Sequence, residues 1–404
     1  MNQTHGANSS RLFEVFDFRT VGMTPPNRLI FGCGAVDKIG EEAAKLGKGK
    51  ALLVADEVIA KLGILEQVAT RLSSAGFEAD TYTDIDPEPH IEVAEALYEF
   101  GAGRDPAVIV AVGGGSVMDM AKLAAQGIAS GKSPRLYGER KAVPEGRGVP
   151  LVLAPTTSGT GSEVSMNLVL GIGEDKVFLT DPYYYPDIAI IDPALTVSMP
   201  PVVTANTGID ALSHAIEGLL HKKANPFNET FCLASIEMVG AYLRRAVFDG
   251  EDLEARYYMS MAAAFGMMGM IMSGGLYAHS ASYAISRYRP TPHGLGCGLP
   301  LPYTMSFNLP VSVPKLAKIA SAMGEQTWAL SELDAANLAV SSVLRLNEDI
   351  GLPMSLQELG GINEDDIEAL AGLMIKNWPR PMNPRPMDLK DSIKFWRDMW
   401  DGIY

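Results

Sequence analysis

Asp210 and His214 stand four residues apart in GIDALSHAIEG, and two further histidines, His279 and His293, close either end of HSASYAISRYRPTPH. On a helix, positions i and i+4 share a face, so a carboxylate and an imidazole there can grip one ion. Three imidazoles and one carboxylate from the same half of the chain suit a divalent first-row metal, Fe(II) or Zn(II), with a position left open for substrate. The separations of four, sixty-five and fourteen residues make no local motif. The plainer alternative is a carboxylate–histidine hydrogen bond without metal. The remaining histidines read as solvated: His5 in a polar run, His90 in a DPEPH turn, and His221 in the basic stretch HKKANP.

A second set of residues suits phosphate and ribose. AVGGGSVMD puts Gly113, Gly114, Gly115 and Ser116 between an apolar run and a helical pattern. Glycines let the backbone approach a phosphate, and the amides of a first helical turn point at it. The spacing is neither G-x-G-x-x-G nor the Walker pattern. A tight strand-to-helix turn without ligand is the alternative. The strip APTTSGTGSE, carrying Thr156, Thr157, Ser158 and Thr160, adds hydroxyls and glycines after another apolar run. Such a strip fits the crevice at the carboxyl edge of a parallel sheet, or is an ordinary polar loop. Asp56 ends ALLVAD, where an acid accepts from a ribose 2′-hydroxyl and repels a 2′-phosphate, or simply caps a helix. Taken together the three elements favour a dinucleotide site.

These residues need elements to hold them. Through residue 199 the chain alternates apolar strand-like runs with helical periodicity: ALLVADE, the helical IAKLGILEQVATRLSSAG, FEADTYTD, IEVAEALYEFGAG, PAVIVAVGGG, SVMDMAKLAAQGIASG, LVLAP and DIAII. That order predicts a parallel sheet with helices on both faces. Beyond SMPPV the strand signals vanish and long apolar stretches such as ARYYMSMAAAFGMMGMIM take over. The expected division is an α/β cofactor domain over 1–199 and an all-α domain over 200–404 that holds metal and substrate, since a chain of 404 residues exceeds the roughly 250–300 at which single cores stop growing. The methionine-rich stretch reads as helical core. A net charge of −15 disfavours a nucleic-acid partner. No apolar run reaches membrane-spanning length, and the polar N-terminal residues lack a signal-peptide pattern. Cys33, Cys232 and Cys297 show no paired spacing, so neither a disulfide framework nor a zinc knuckle is supported. A cytoplasmic location is the expectation.

GGGSVMDMAK, APTTSGTGSEVS, TGIDALSHAIEG and the late PHG occur in the order found in the iron-containing, group III alcohol dehydrogenases, which the chain resembles from RLIFGCG to about residue 310. The resemblance implies the dehydroquinate synthase-like fold, with a dinucleotide-binding α/β domain followed by a helical domain. It implies metal ligands at Asp210, His214, His279 and His293. It also implies nicotinamide-cofactor contacts at Asp56, Gly113, Gly114, Gly115, Ser116, Asp119, Thr156, Thr157, Ser158, Thr160 and Lys176, with NAD favoured over NADP by Asp56.

Departures from the family pattern carry information. A second histidine common one helical turn after the third ligand is Tyr283 here, a nearby glycine is Ser286, and an asparagine near the DPEPH turn is Glu88. HSASYAIS is similar to the hydroxyacid–oxoacid transhydrogenases, which shuttle hydride between a hydroxy acid and an oxo acid. The leading expectation is a metal-dependent NAD(P)-linked alcohol dehydrogenase or aldehyde reductase for a small alcohol. The transhydrogenase is the alternative, and a dehydroquinate synthase-like lyase ranks behind both. A phenol near pKa 10 is a poor base, so Tyr283 reads as packing or a substrate hydrogen-bond donor. Arg287 and Arg289 would suit a substrate carboxylate but read better as solvated. Relatives pair through the RLIFGCG region, so a homodimer or larger assembly is expected.

Overall fold

The structure, a computed structural model, describes residues 28–404; His5 lies outside them. Eight strands are β1 (Leu29–Phe31), β2 (Lys50–Val54), β3 (Glu78–Tyr82), β4 (Val108–Gly113), β5 (Leu151–Pro155), β6 (Asn167–Ile172), β7 (Asp175–Thr180) and β8 (Ile188–Ile191). Six form one parallel sheet in the order β1-β8-β5-β4-β2-β3. Strands β4, β5 and β8 have every residue buried, as their unbroken apolar sequences require of strands covered on both faces.

Side chains alternate across the sheet. Leu52, Val54, Ile109 and Ala111 point into one apolar cluster with α4 (Ile91–Ala102) and α5 (Gly115–Ser130). Ala51, Leu53, Val108 and Val110 point into the other, with α1 (Ile39–Ala43) and α3 (Ile64–Ser74). The run expected as one helix from Ile59 is two, α2 (Glu57–Lys61) and α3, because Gly63 turns left-handed at φ +76° between them. The short helix α6 (Pro134–Gly138) follows α5.

The antiparallel hairpin β6–β7 is absent from the sequence reading. Its strands are largely half-exposed, and their apolar runs, LVLGI and VFL, are short and lie either side of the polar GEDK, so the sequence reading passed over them.

From Pro201 onward the described residues are helical: α7 (Pro201–Leu220), α8 (Pro226–Phe248), α9 (Leu253–Ile271), α10 (Tyr277–Tyr288), α11 (His293–Gly298), α12 (Leu301–Ala322) and four further helices to Asp401. Helix α7 is buried continuously from Gly208 to Leu220, packed against α8 and α9. A helix covered all round shows no amphipathic period, which is why this stretch reads as uniformly apolar. No helix among the described residues is long and apolar enough to cross a membrane.

Candidate metal and cofactor site

Three helices bring the four ligand candidates together. Asp210 and His214 lie one turn apart on the buried face of α7, His279 is in the first turn of α10, and His293 opens α11. Helix α11, HGLGCG, is wedged between the other two, and its glycines permit the wedge. A Cβ on Gly294 would sit 1.9 Å from the Asn206 carbonyl oxygen of α7, and one on Gly296 would sit 2.5 Å from Ser282 Oγ of α10. A Cβ on Gly298 would lie 2.7 Å from Ile209 Cγ2. Any side chain at these positions would push His293 away from Asp210.

The polar atoms converge. His214 Nε2 lies 3.6 Å and His293 Nε2 3.7 Å from Asp210 Oδ1. Asp210 Oδ1 and His279 Nε2 are buried without a hydrogen-bond partner in the protein. A buried acceptor left so is costly, and a divalent cation beside it removes the cost. Burial opposes charge on Asp210, but His214, His293 and His279 outweigh it and hold the carboxyl below the usual range. Burial takes His214 down to about 4, so its ring is neutral and its lone pair free. These donors fit Fe(II) or Zn(II).

Two residues that sequence reasoning left unassigned belong to this group. Glu217 lies three residues after His214 on the same face of α7 and is fully buried. Its Oε2 is 2.5 Å from His279 Nδ1, and it accepts from the Leu276 and Ala278 amides at 2.8 and 2.7 Å. That bond places the ring proton on Nδ1 and leaves Nε2 for a metal. Cys297, four residues after His293, puts Sγ 3.7 Å from His293 Nε2. Its i, i+4 spacing, the same as that of Asp210 and His214, is the sequence signal that could have found it.

The candidate cofactor residues line the carboxyl edge of the sheet, because Asp56, the glycine turn and the 156–160 strip follow the adjacent strands β2, β4 and β5. Gly115 packs against the strip so closely that a Cβ would lie 2.7 Å from Thr160 Cγ2. A Cβ on Gly159 would lie 2.7 Å from Thr207 Cβ, one turn before Asp210 on α7, so the strip and α7 are in contact. Asp56 caps α2, accepting from the Ile59 amide at 2.9 Å. Asp119 accepts from Ser162 Oγ at 2.6 Å and from the Val169 amide at 2.8 Å, which ties α5 to strip and hairpin. The buried Lys122 donates to Ser162 Oγ and the Asn167 carbonyl, at 2.7 and 2.8 Å. Lys176, on β7, is paired with Glu88. Glu88 has φ +55°, and its Oε1 accepts from the His293 amide at 3.2 Å, so one carboxylate joins the hairpin and α11.

Residues 26–193 match the model of the iron-containing alcohol dehydrogenases, and residues 204–400 match that family's C-terminal region. The chain belongs to the iron-containing alcohol dehydrogenase family. It is 36% identical over 343 residues to long-chain-alcohol dehydrogenase 1 of Geobacillus thermodenitrificans, covering 84% of this chain and 86% of that protein. It is 36% identical to choline dehydrogenase of Bacillus subtilis, over 96% of this chain and 95% of that one. The solved structure of a 1,3-propanediol oxidoreductase superposes with a TM-score of 0.90 at 31% identity, covering 95% of this chain and all of that one. The enzyme is therefore an oxidoreductase acting on CH–OH or its carbonyl partner, in a metal-dependent family that uses nicotinamide.

Within this dehydrogenase, Tyr283 is buried, stacked on His293 at 6.0 Å between ring centroids and 5.7 Å from the Trp378 ring. Burial pushes its phenol above the ordinary value. His221, expected in solvent, is 4% exposed. Its Nδ1 accepts from the Lys223 amide at 3.0 Å, and Gly274, at φ +130°, lies against the ring. The α9–α10 connection, fifty-three residues on, carries Gly274 to the end of α7, a contact with no local signature. Arg287 is exposed but ion-paired with Asp175 and Glu174 at the tip of β6–β7, and Arg289 lies against Gly361. His90 is exposed, as expected.

Proposed function

We propose that this dehydrogenase oxidises a small primary or secondary alcohol with NAD, or reduces the matching aldehyde or ketone, at a divalent metal held by Asp210, His214, His279 and His293. The observation that carries this reading is the unpartnered, buried Asp210 Oδ1 with His214 and His293 Nε2 within 3.7 Å. Bound there, Fe(II) or Zn(II) supplies Lewis acidity toward an alcohol or carbonyl oxygen. The protein supplies orientation. Glu217 holds His279 in the ligating tautomer.

The amides and hydroxyls of Gly113, Gly114, Gly115, Ser116, Thr156, Thr157, Ser158 and Thr160 cradle the cofactor pyrophosphate, as glycine-rich turns at helix N-termini do. Asp56 disfavours a 2′-phosphate and so selects NAD over NADP. Lys176, steered by Glu88, offers its charge to the cofactor, while Asp119 acts as a positioning residue through Ser162 and Val169. Tyr283, kept protonated by burial, donates a hydrogen bond to substrate and leaves proton removal to water or the ribose.

Among the described residues strand β1 is the edge of the sheet, with no strand on its outer side, which favours pairing with a second copy. A homodimer or larger assembly is the reading, checked by sedimentation velocity. Free thiols at Cys33, Cys232 and Cys297 accord with a cytoplasmic location.

The test is anaerobic purification with Fe(II), then reduced nicotinamide followed spectroscopically with NAD or NADP and a panel of alcohols that includes 4-hydroxybutyrate. Reduced cofactor should accumulate with a simple alcohol and fail to do so in His279→Ala. No free-cofactor turnover with any alcohol, but hydride exchange between 4-hydroxybutyrate and 2-oxoglutarate, would replace this reading with the transhydrogenase.

A further inference from the structure

We propose that Cys297 is a direct thiolate ligand of the catalytic metal. The inference rests on the metal-dependent reading above and extends its ligand set by one residue. His293 and Cys297 occupy positions i and i+4 of α11, so both side chains leave the same face of the helix. Ligand-capable atoms of Asp210, His279, His293 and Cys297 all lie within 4.8 Å of one another. Adjacent nitrogen and sulfur ligands at about 2.1 and 2.3 Å from a common ion are roughly 3–3.6 Å apart. The observed 3.7 Å between Sγ and His293 Nε2 needs a shift of only about a tenth of an ångström or more to meet that range.

The helix cannot easily turn the thiol elsewhere. Cys297 is fully buried, and the glycines on either side of it are pressed onto Ser282 and Ile209. The unpartnered Asp210 Oδ1 and His279 Nε2 give independent evidence that a cation belongs in this group. Cys232 makes the contrast. It is equally buried, but its sulfur lies against the backbones of Gly218 and Gly269, where a Cβ would come within 3.1 and 2.4 Å, and among the described residues its hydrogen-bond contact is Asn228 Nδ2, at 3.9 Å. One cysteine fills the core; the other faces three groups of ligand type.

A thiolate beside Asp210 adds negative charge and a soft donor. Both strengthen the hold on Zn(II) and Co(II) relative to harder ions such as Mn(II).

The experiment is anaerobic loading of the full-length protein with Co(II), followed by absorption spectra and metal analysis. The wild type should bind one equivalent and show visible d–d bands together with an intense near-ultraviolet sulfur-to-cobalt charge-transfer band. In Cys297→Ser the d–d bands should remain and the charge-transfer band vanish, while Cys33→Ser/Cys232→Ser keeps both. One equivalent bound with d–d bands but no charge-transfer band in the wild type, or a band that survives in Cys297→Ser, overturns the thiolate ligand and leaves the metal-dependent dehydrogenase intact. Failure to bind Co(II) any better than His279→Ala overturns both. X-ray absorption on the Zn(II)-loaded wild type needs no variant. A sulfur scatterer at about 2.3 Å is expected, and a shell of only nitrogen and oxygen at about 2.0–2.1 Å would reject the proposal.

Discussion

Glu217 Oε2 lies 2.5 Å from His279 Nδ1, and neither side chain reaches solvent. The same carboxylate accepts the Leu276 amide, just before α10, and the Ala278 amide in the first turn of α10, so it fixes both the ring and the helix start that carries it. Burial opposes charge on Glu217, yet His279 and these amides hold its carboxyl below the usual range. Glu217→Gln keeps the volume but removes the charge that orients the ring. Metal affinity should fall by roughly 10–100-fold, measured by competition with a chromogenic chelator. Unchanged affinity would mean that the pair is only structural.

Gly294→Ala tests the wedge of α11. The added methyl group meets backbone of α7, 1.9 Å from Asn206 O, and a backbone atom cannot rotate aside. A destabilisation of about 1–3 kcal/mol or more is expected, with loss of bound metal. Gly372→Ala is the control: nothing lies within 4 Å of its Cβ, and alanine should hold or raise the melting temperature.

Acid stability should report on His221. Burial, then the charge of Lys223, lowers its pKa from 6.5 to about 4. Between those values the unfolded chain binds a proton that the folded chain does not. Stability therefore rises with pH across that window and is flat above it. In His221→Asn, urea midpoints measured on metal-free protein should vary less with pH between about 4 and 6.5. An identical slope in wild type and variant would show that the ring titrates freely.

Glu88 is paired with Lys176, the lysine proposed to offer its charge to the cofactor, and on that reading it competes with the cofactor phosphate. Glu88→Gln frees the ammonium and removes a negative charge near the pyrophosphate, so KM for NAD should fall. The expected change is two- to fivefold, the size of a partly exposed ion pair worth about 0.5–1 kcal/mol. Lys176→Ala should raise the same constant. A rise in KM with Glu88→Gln would assign Glu88 to holding α11 instead.

Much of this enzyme could be read along the chain. Wholly apolar strands ending in GGGS and PTTSGTGSE require a sheet buried on both faces with polar turns at one edge. The choice of Asp210, His214, His279 and His293 followed from chemistry and the family pattern, because few residue types bind a divalent metal. Folding decided the rest. Along the chain Glu217 has no assigned role, Cys297 is a cysteine without paired spacing, Glu88 only replaces the family's asparagine near a turn, and His221 reads as solvated. Each takes its role from a partner far away in sequence: His279 for Glu217, Asp210 for Cys297, His293 for Glu88, Gly274 for His221. Those meetings depend on how closely helices approach, and at α11 the approach is set by glycines, whose lack of a side chain leaves no pattern of charge or hydrophobicity to read.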